Sequence, residues 1–223
     1  MGRCEGICYI VGARPLEPGL CPRPEAEDLV IAADGGYAGL MAAGVIPNLV
    51  VGDFDSLGAP PEHPEVVVLP RVKDDTDMIY AARQGLERGY RRFVLLGGMG
   101  GRLDHTVANL QTLDWLAGQG ARAVLAGEGA AAAALRRGSL TFPGEMAGYV
   151  SVFCSSGTAR GVDLSGLKYQ LEDADLVGDF PLGVSNEFIG QPARIRVEEG
   201  SLLILWEERG DLYQILPWLW KET

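Results

Sequence analysis

The chain has 223 residues, 47% of them hydrophobic, and a formal net charge of −11. That length allows one large or two small domains with a real core, and the acidity argues against a nucleic-acid surface while leaving room for phosphates handled through a divalent cation. Met1-Gly2-Arg3-Cys4-Glu5 opens no signal peptide and no apolar run reaches about 18 residues, so a membrane span is not expected.

Short β-rich apolar runs occur at 7–11, 29–32, 49–51, 66–69, 93–96 and 123–125. Continuous runs of this kind suit a parallel sheet covered on both faces. Cys4 and Cys8 lie at the first run and read as reduced, partly buried thiols; with Cys21 and Cys154 they show no zinc spacing, and the expected compartment is the cytoplasm. The segment 13–27 carries Pro15, Pro18, Pro22 and Pro24, so a surface loop is expected there rather than a crossover helix. Tyr37, Leu40 and Met41 suggest a helix closed by Gly44, with Pro47 just beyond. A second helix should begin near Thr76 with Asp74 or Asp75 as its N-cap and Ile79, Ala82 and Leu86 on its buried stripe. A third should carry Val107, Leu110 and Leu113 on one stripe.

From about residue 130 the texture changes. The alanine run at 130–134 fits either a short helix or a tightly packed link. Strand-like pieces follow at 149–154, 167–171, 194–197 and 202–206, the last two read as a hairpin turning at Glu199-Gly200. The tail Leu212-Tyr213-Gln214-Ile215-Leu216-Pro217-Trp218-Leu219-Trp220 is too apolar to stay in water and should pack on its own core or on a second subunit. The expected organisation is an α/β domain over 1–129 and a β-rich antiparallel domain over 130–223.

Three polar clusters sit at the ends of the first domain's elements. Val51-Gly52-Asp53-Phe54-Asp55-Ser56 runs from an apolar strand into two carboxylates at i and i+2, which leave one face of an extended chain. Like charges so close repel unless a cation lies between them or one keeps its proton, and oxygen-only ligands favour a hard ion such as Mg²⁺. An Asp-rich turn after a strand is the plainer alternative. Lys73-Asp74-Asp75-Thr76-Asp77 opens the second helix; acidic capping explains part of it but not Lys73. Gly97-Gly98-Met99-Gly100-Gly101-Arg102-Leu103-Asp104-His105-Thr106 follows a strand, with glycine amides and the Arg102 fork suited to an anion. It is neither a Walker A loop nor a dinucleotide fingerprint. His105 by itself reads as a hydrogen-bonding residue at a helix start.

Taken together, these segments resemble the thiamine pyrophosphokinase family. The likeness runs in order through Ala33-Asp34-Gly35-Gly36, Gly44-Val45-Ile46-Pro47-Asn48, Gly52-Asp53-Phe54-Asp55-Ser56-Leu57, Lys73-Asp74-Asp75-Thr76-Asp77 and Gly100-Gly101-Arg102-Leu103-Asp104-His105-Thr106, then Gly166-Leu167-Lys168-Tyr169-Gln170-Leu171 and Val184-Ser185-Asn186-Glu187. Asn48 stands where Asp is usual, and Tyr169 where some members carry Trp. The resemblance implies a parallel Rossmann-like sheet followed by an antiparallel β-sandwich. It also implies a reaction in which the hydroxyl of thiamine attacks the β-phosphorus of ATP, giving thiamine diphosphate and AMP.

On this reading Asp53, Asp55 and Asp77 hold Mg²⁺, with Asp74 at the ion or just behind it. Arg102 clamps the transferred diphosphate, and Asp104 orients Arg102 or a metal-bound water. Asp34, Gly35, Gly36, Lys73, Thr76, Gly100, Gly101, Arg102 and His105 bind ATP, and Tyr169, Ser185 and Asn186 hold the acceptor. The active unit is implied to be a homodimer, each acceptor site completed by the partner's β-rich domain; neither nucleic acid nor membrane is an expected partner. Two alternatives remain open at this point: a pyrophosphokinase of the same architecture acting on another heteroaromatic alcohol such as a hydroxymethylpterin, and a non-catalytic nucleotide- or thiamine-binding regulator.

Overall fold

The structure is a computed structural model and describes residues 4–54, 59–70, 74–208 and 210–221. Two compact units divide the chain: Met1–Thr112 with Ala123–Glu128, and Leu113–Arg122 with Gly129–Thr223.

The first unit is built on strands β1 (Cys8–Val11), β2 (Leu29–Ala33), β3 (Leu49–Gly52), β4 (Val66–Val68), β5 (Arg92–Leu96) and β6 (Arg122–Gly127). Their spatial order is β6-β5-β1-β2-β3-β4, and β1 lies parallel to both β2 and β5. Every residue of β1, β2 and β3 is buried, as the unbroken apolar runs require of strands covered on both faces. Register between β2 and β3 is held partly by a side chain. Asn48 donates its backbone N–H to the Val30 carbonyl at 2.7 Å and accepts from the Val30 N–H through Oδ1 at 2.8 Å, so it closes a two-way bridge.

Helices α1 (Gly36–Ala42), α2 (Asp77–Glu87) and α3 (Leu103–Gly118) connect these strands. Gly44 follows α1 with φ +74, and its N–H bonds the Met41 carbonyl at 3.1 Å, which ends the helix where expected. The segment 13–27 is a loop holding one short 3₁₀ turn at Pro18–Leu20. Three local expectations are corrected. Thr76, not Asp74 or Asp75, is the N-cap of α2, its Oγ1 accepting from the Ile79 N–H at 3.3 Å. The buried face of α2 is Met78, Ala81, Ala82 and Gly85 rather than Ile79 and Leu86, because small residues let the helix settle closely on β1, β2 and β3. In α3, Val107 is exposed, while Asn109 turns inward to donate to the Gly98 carbonyl at 2.6 Å and Leu113 and Leu116 are buried.

The second unit is antiparallel throughout: β7 (Ala130–Phe142), β8 (Tyr149–Cys154), β9 (Thr158–Ser165), β10 (Leu171–Val177), β11 (Gly183–Glu187) and β12 (Ala193–Glu207). Strand β12 pairs with β7 along nearly its whole length. Its first half also pairs with β9 and through it with β10, and its second half with β8 and through it with β11. The long pair thus serves two antiparallel sheets. Phe142 lies edge-on to Phe188 and to Trp206, with ring centroids 5.2 Å apart in each case.

The hairpin expected at Glu199-Gly200 is a bulge inside one continuous strand, where the register with β7 shifts between Val197 and Ser201. Gly200 at φ +88 and Gly138 at φ +128 let both strands bend at the same level, and each half of β12 finds its partner in β7 rather than in the other half. The alanine run is the start of β7. Alanine favours helix, but pairing of 130–134 with 203–207 overrides that preference. Helix α4 (Leu212–Leu219) packs on β7 and buries Leu212, Ile215, Leu216 and Leu219. The apolar tail is therefore covered by its own unit. Among the described residues, no helix is long and apolar enough to cross a membrane.

Candidate active site

A cavity of about 690 Å³ opens at the carboxyl ends of the first unit's strands. Strand order reverses beside β1, which leads to β2 on one side and has β5 on the other, and open α/β sheets bind ligands at such a switch. The wall is made by chain leaving four strands: Gly12, Ala13 and Arg14 after β1, Asp34 after β2, Asp53 after β3, and Gly97, Gly98, Gly100, Gly101 and Arg102 after β5. The start of α2 adds Asp75, Thr76 and Asp77, and α3 adds His105, Ala108 and Asn109.

Local backbone geometry aims these groups. Asp34 has φ +50 and donates its N–H to the Val51 carbonyl at 2.7 Å, so β2 breaks off beside the end of β3. Asp is one of the few residue types that tolerates this conformation. Directly behind it, a side chain at Gly36 would collide with the Val11 carbonyl 1.9 Å away, so only glycine lets α1 start this close to the end of β1. Phe54 takes φ +52 with its ring buried, an unusual backbone for a bulky residue, and turns the chain immediately after Asp53. Asp75 faces the cavity while pairing with Arg83 at 2.7 Å.

The glycine loop is tied to α3. The Gly100 N–H donates to Thr106 Oγ1 at 3.1 Å. Arg102 donates to both oxygens of Asp104, at 3.2 and 2.6 Å, and Asp104 also accepts from the His105 N–H at 3.0 Å. The Arg102 fork holds the Asp104 carboxyl below the usual carboxylate range, and the same bond raises Arg102.

Of the residues expected to form this site, Asp34, Asp53, Thr76, Asp77, Gly100, Gly101, Arg102 and His105 line one cavity. Asp104 stands beside it through its pairing with Arg102, whereas Asp74 is exposed and Gly35 and Gly36 lie at the start of α1; none of these four is in the lining. Asp55 and Lys73 lie outside the described residues. Among the described residues, no three His, Cys, Asp or Glu side chains converge as a metal cluster. The donors that Asp53, Asp77 and Thr76 bring to the cavity are all oxygen, which fits Mg²⁺ rather than a thiol- or imidazole-seeking metal. Arg14 and Asp75 line the cavity too, Asp75 expected only as a helix cap and Arg14 not expected as a site residue. Arg14 follows a buried strand by three residues, as Asp34 and Asp53 follow theirs closely, and that placement is the signal it carried.

In the second unit, Tyr169 is 59% exposed and Asn186 only 3%. Asn186 Oδ1 accepts from the Tyr169 N–H at 2.9 Å, and its Nδ2 donates to the Tyr169 carbonyl at 2.6 Å. Both ends of the amide thus hold Tyr169, and Oδ1 also accepts from the Glu187 N–H at 2.9 Å. This also corrects the strand expected at 167–171: β10 begins only at Leu171, and the stretch before it is bound by one side chain and by the single bridge Leu167–Phe188. Lys168 pairs with Glu187 at 2.6 Å and lies over the Tyr169 ring, 5.5 Å from its centroid. Ser185, at φ +58, is exposed and donates its N–H to Ser151 Oγ at 3.1 Å.

The architecture is that of solved thiamin pyrophosphokinases. The crystal structure of thiamine pyrophosphokinase from Bacillus subtilis matches with TM-score 0.79 and 26% identity, covering 92% of this chain and 100% of that one. The corresponding enzyme structure from Geobacillus thermodenitrificans gives 0.76 and 29%, with the same two coverages. A curated thiamine pyrophosphokinase of Bacillus subtilis (strain 168) is 27% identical over 201 residues, 87% of this chain and 94% of that protein. Residues 24–125 match the family described as thiamin pyrophosphokinase, catalytic domain, and residues 139–202 the family described as thiamin pyrophosphokinase, vitamin B1 binding domain. The chain belongs to the thiamin pyrophosphokinase family.

Proposed function

We propose that the protein transfers the diphosphoryl group of ATP to the hydroxyl of thiamine, yielding thiamine diphosphate and AMP. The observation that carries this reading is a single cavity lined by Asp53 and Asp77 together with Arg102 and the glycine loop, so carboxylates for a divalent cation and donors for phosphate oxygens share one space. Membership of the thiamin pyrophosphokinase family supports thiamine as the acceptor.

The thiamine hydroxyl oxygen bonds to the β-phosphorus, the bond from that phosphorus to the α,β-bridging oxygen breaks, AMP departs, and the hydroxyl proton passes to solvent. Such a transfer needs mainly positioning and charge stabilisation. Arg102, already ordered by Asp104, presents a planar fork to the transferred group. The loop at Gly100 and Gly101 lets the backbone approach the phosphates, and Thr76 sets the first turn of α2 so that Asp77 faces them. Asp53 and Asp77, with Asp55, would hold Mg²⁺, which when bound neutralises charge on the phosphate oxygens.

In the second unit, the exposed Tyr169 ring offers a face for a flat cation, and Ser185 offers a hydroxyl. We place this acceptor surface against the cavity of a second copy, making the active unit a homodimer. Cys4, Cys8, Cys21 and Cys154 are thiols rather than disulfides, and we take the cytoplasm as the compartment. The test is an acceptor panel with ATP and Mg²⁺, read by mass spectrometry. Thiamine should be converted in preference to hydroxymethylpterin; conversion of the pterin alone, or of no acceptor, would overturn the assignment.

A further inference from the structure

Arg14 and Glu128 form an ion pair laid directly on the glycine loop. Arg14 Nη2 meets Glu128 Oε1 at 3.2 Å, with both side chains about half exposed (50% and 55%). A Cβ placed on Gly100 would fall 2.0 Å from the Glu128 carboxylate, and one on Gly101 would fall 3.2 Å from Arg14 Cδ and Nε. Side chains at these two positions would displace the pair. The glycines therefore make room for it, in addition to taking φ +80 and +67.

Both partners are also fixed through their backbones. The Arg14 N–H donates to the Gly97 carbonyl at 3.0 Å, and the Glu128 N–H donates to the Glu17 carboxylate. Glu128 itself sits at φ +53, a costly conformation for a residue of its type. Arg14 lines the main cavity; Glu128 does not, and lies instead on a neighbouring cavity of about 310 Å³ that Arg14 also lines. The guanidinium is thus held at the boundary, with a carboxylate on one side and the cavity on the other.

We propose that Arg14 is a phosphate-binding residue of the nucleotide site, and that Glu128 acts as its stand-in anion. When a nucleoside triphosphate enters, the guanidinium exchanges the Glu128 carboxylate for phosphate oxygens and moves little, because its backbone and the surface of Gly101 already place it. A carboxylate and a phosphate oxygen present the same acceptor geometry to an arginine fork, which makes the exchange chemically even. Glu128 consequently competes with the nucleotide and sets its affinity. This inference rests on the nucleotide reading of the cavity and adds a residue to it.

The experiment measures binding of α,β-methylene-ATP with Mg²⁺ by calorimetry for wild type, Arg14→Ala, Arg14→Lys and Glu128→Gln, alongside melting temperatures. Arg14→Ala should weaken binding by about tenfold or more, the scale of one charged hydrogen bond, and Arg14→Lys should recover only part of it. Glu128→Gln should tighten binding, because the competing charge is gone. A merely structural pair would move both variants in the same direction, with parallel losses in melting temperature. Arg14→Ala binding as tightly as wild type, or Glu128→Gln weakening binding as Arg14→Ala does, overturns the proposal while the function stands. A wild-type chain that binds no nucleotide at all overturns both.

Discussion

Asn186 bonds Tyr169 as a neighbouring strand would, its amide accepting from the Tyr169 N–H at 2.9 Å and donating to the Tyr169 carbonyl at 2.6 Å. One buried side chain replaces a ladder rung, and it leaves the Tyr169 ring in the open. Position and presentation of the aromatic are therefore separate tasks given to separate residues.

Asn186→Ala removes both bonds to Tyr169 and a third, from the Glu187 N–H, and leaves a buried gap, so it should lower stability by roughly 1–3 kcal/mol. It should also raise KM for the acceptor, since the Tyr169 backbone is no longer held. Tyr169→Ala should raise that KM with an unchanged melting temperature. Thermal melts and acceptor titrations of the two variants check the split; equal melting losses in both would remove the distinction.

Asp53→Asn and Asp77→Asn each keep a side chain of the same shape and delete a charge in the cavity. Either should cut turnover by on the order of 10² or more, as when preorganised charge stabilisation fails, and leave melting nearly unchanged. Higher Mg²⁺ should restore part of the loss if metal binding is what weakened. Wild-type turnover across a Mg²⁺ titration would remove both residues from the metal site, and chelation of divalent ions should abolish activity in the unsubstituted chain.

The parallel sheet was legible because a strand buried on both faces has to be apolar without interruption, and 7–11, 29–32 and 93–96 are. Asp34, Asp53 and Gly97 were legible as site residues for a related reason: polar or glycine residues directly after such runs have nowhere to go but the sheet's carboxyl edge. Legibility fell where long-range pairing decides the outcome. Ala131, Ala132 and Ala133 prefer helix locally and become strand only because Leu205 and its neighbours in β12 lie alongside. Glu199-Gly200 looks like a hairpin turn until β7 is seen to bind both halves of β12. Arg14 was missed because one polar residue three positions past a strand is a weak signal, and its pairing with Glu128, 114 residues away, leaves no trace in sequence spacing.

Acid should loosen the second unit through Asp163. This carboxylate accepts from the Asp173 N–H at 2.9 Å and from Arg196 at 2.9 Å, and these bonds hold its pKa below the usual carboxylate range. A lowered folded-state pKa contributes stability that is present above the unfolded pKa and lost as pH falls through the folded one. Asp163→Asn should therefore melt lower than wild type near neutrality, with the gap closing as pH drops below the ordinary carboxylate range. The group is partly exposed, so the gap should be small; a gap that widens on acidification would contradict the assignment.

Shared sites can be tested by mixing chains. An Asp53→Asn chain lacks a cavity carboxylate, and a Tyr169→Ala/Ser185→Ala chain lacks the acceptor surface. If each site combines the cavity of one copy with the acceptor surface of its partner, mixed dimers regain one intact site and activity rises above either parent. Dimers that demonstrably exchange subunits without recovery would mean that each chain builds its site alone.

Transfer of a diphosphoryl group, rather than of a single phosphoryl, is read from the fate of the β-phosphorus. The protein is incubated with Mg²⁺, thiamine and ATP carrying ³²P at the β position, and products are separated by chromatography. Label should appear in thiamine diphosphate, with unlabelled AMP formed mole for mole. Label retained in ADP, with thiamine monophosphate as the other product, or label released only as inorganic phosphate or pyrophosphate, would contradict it.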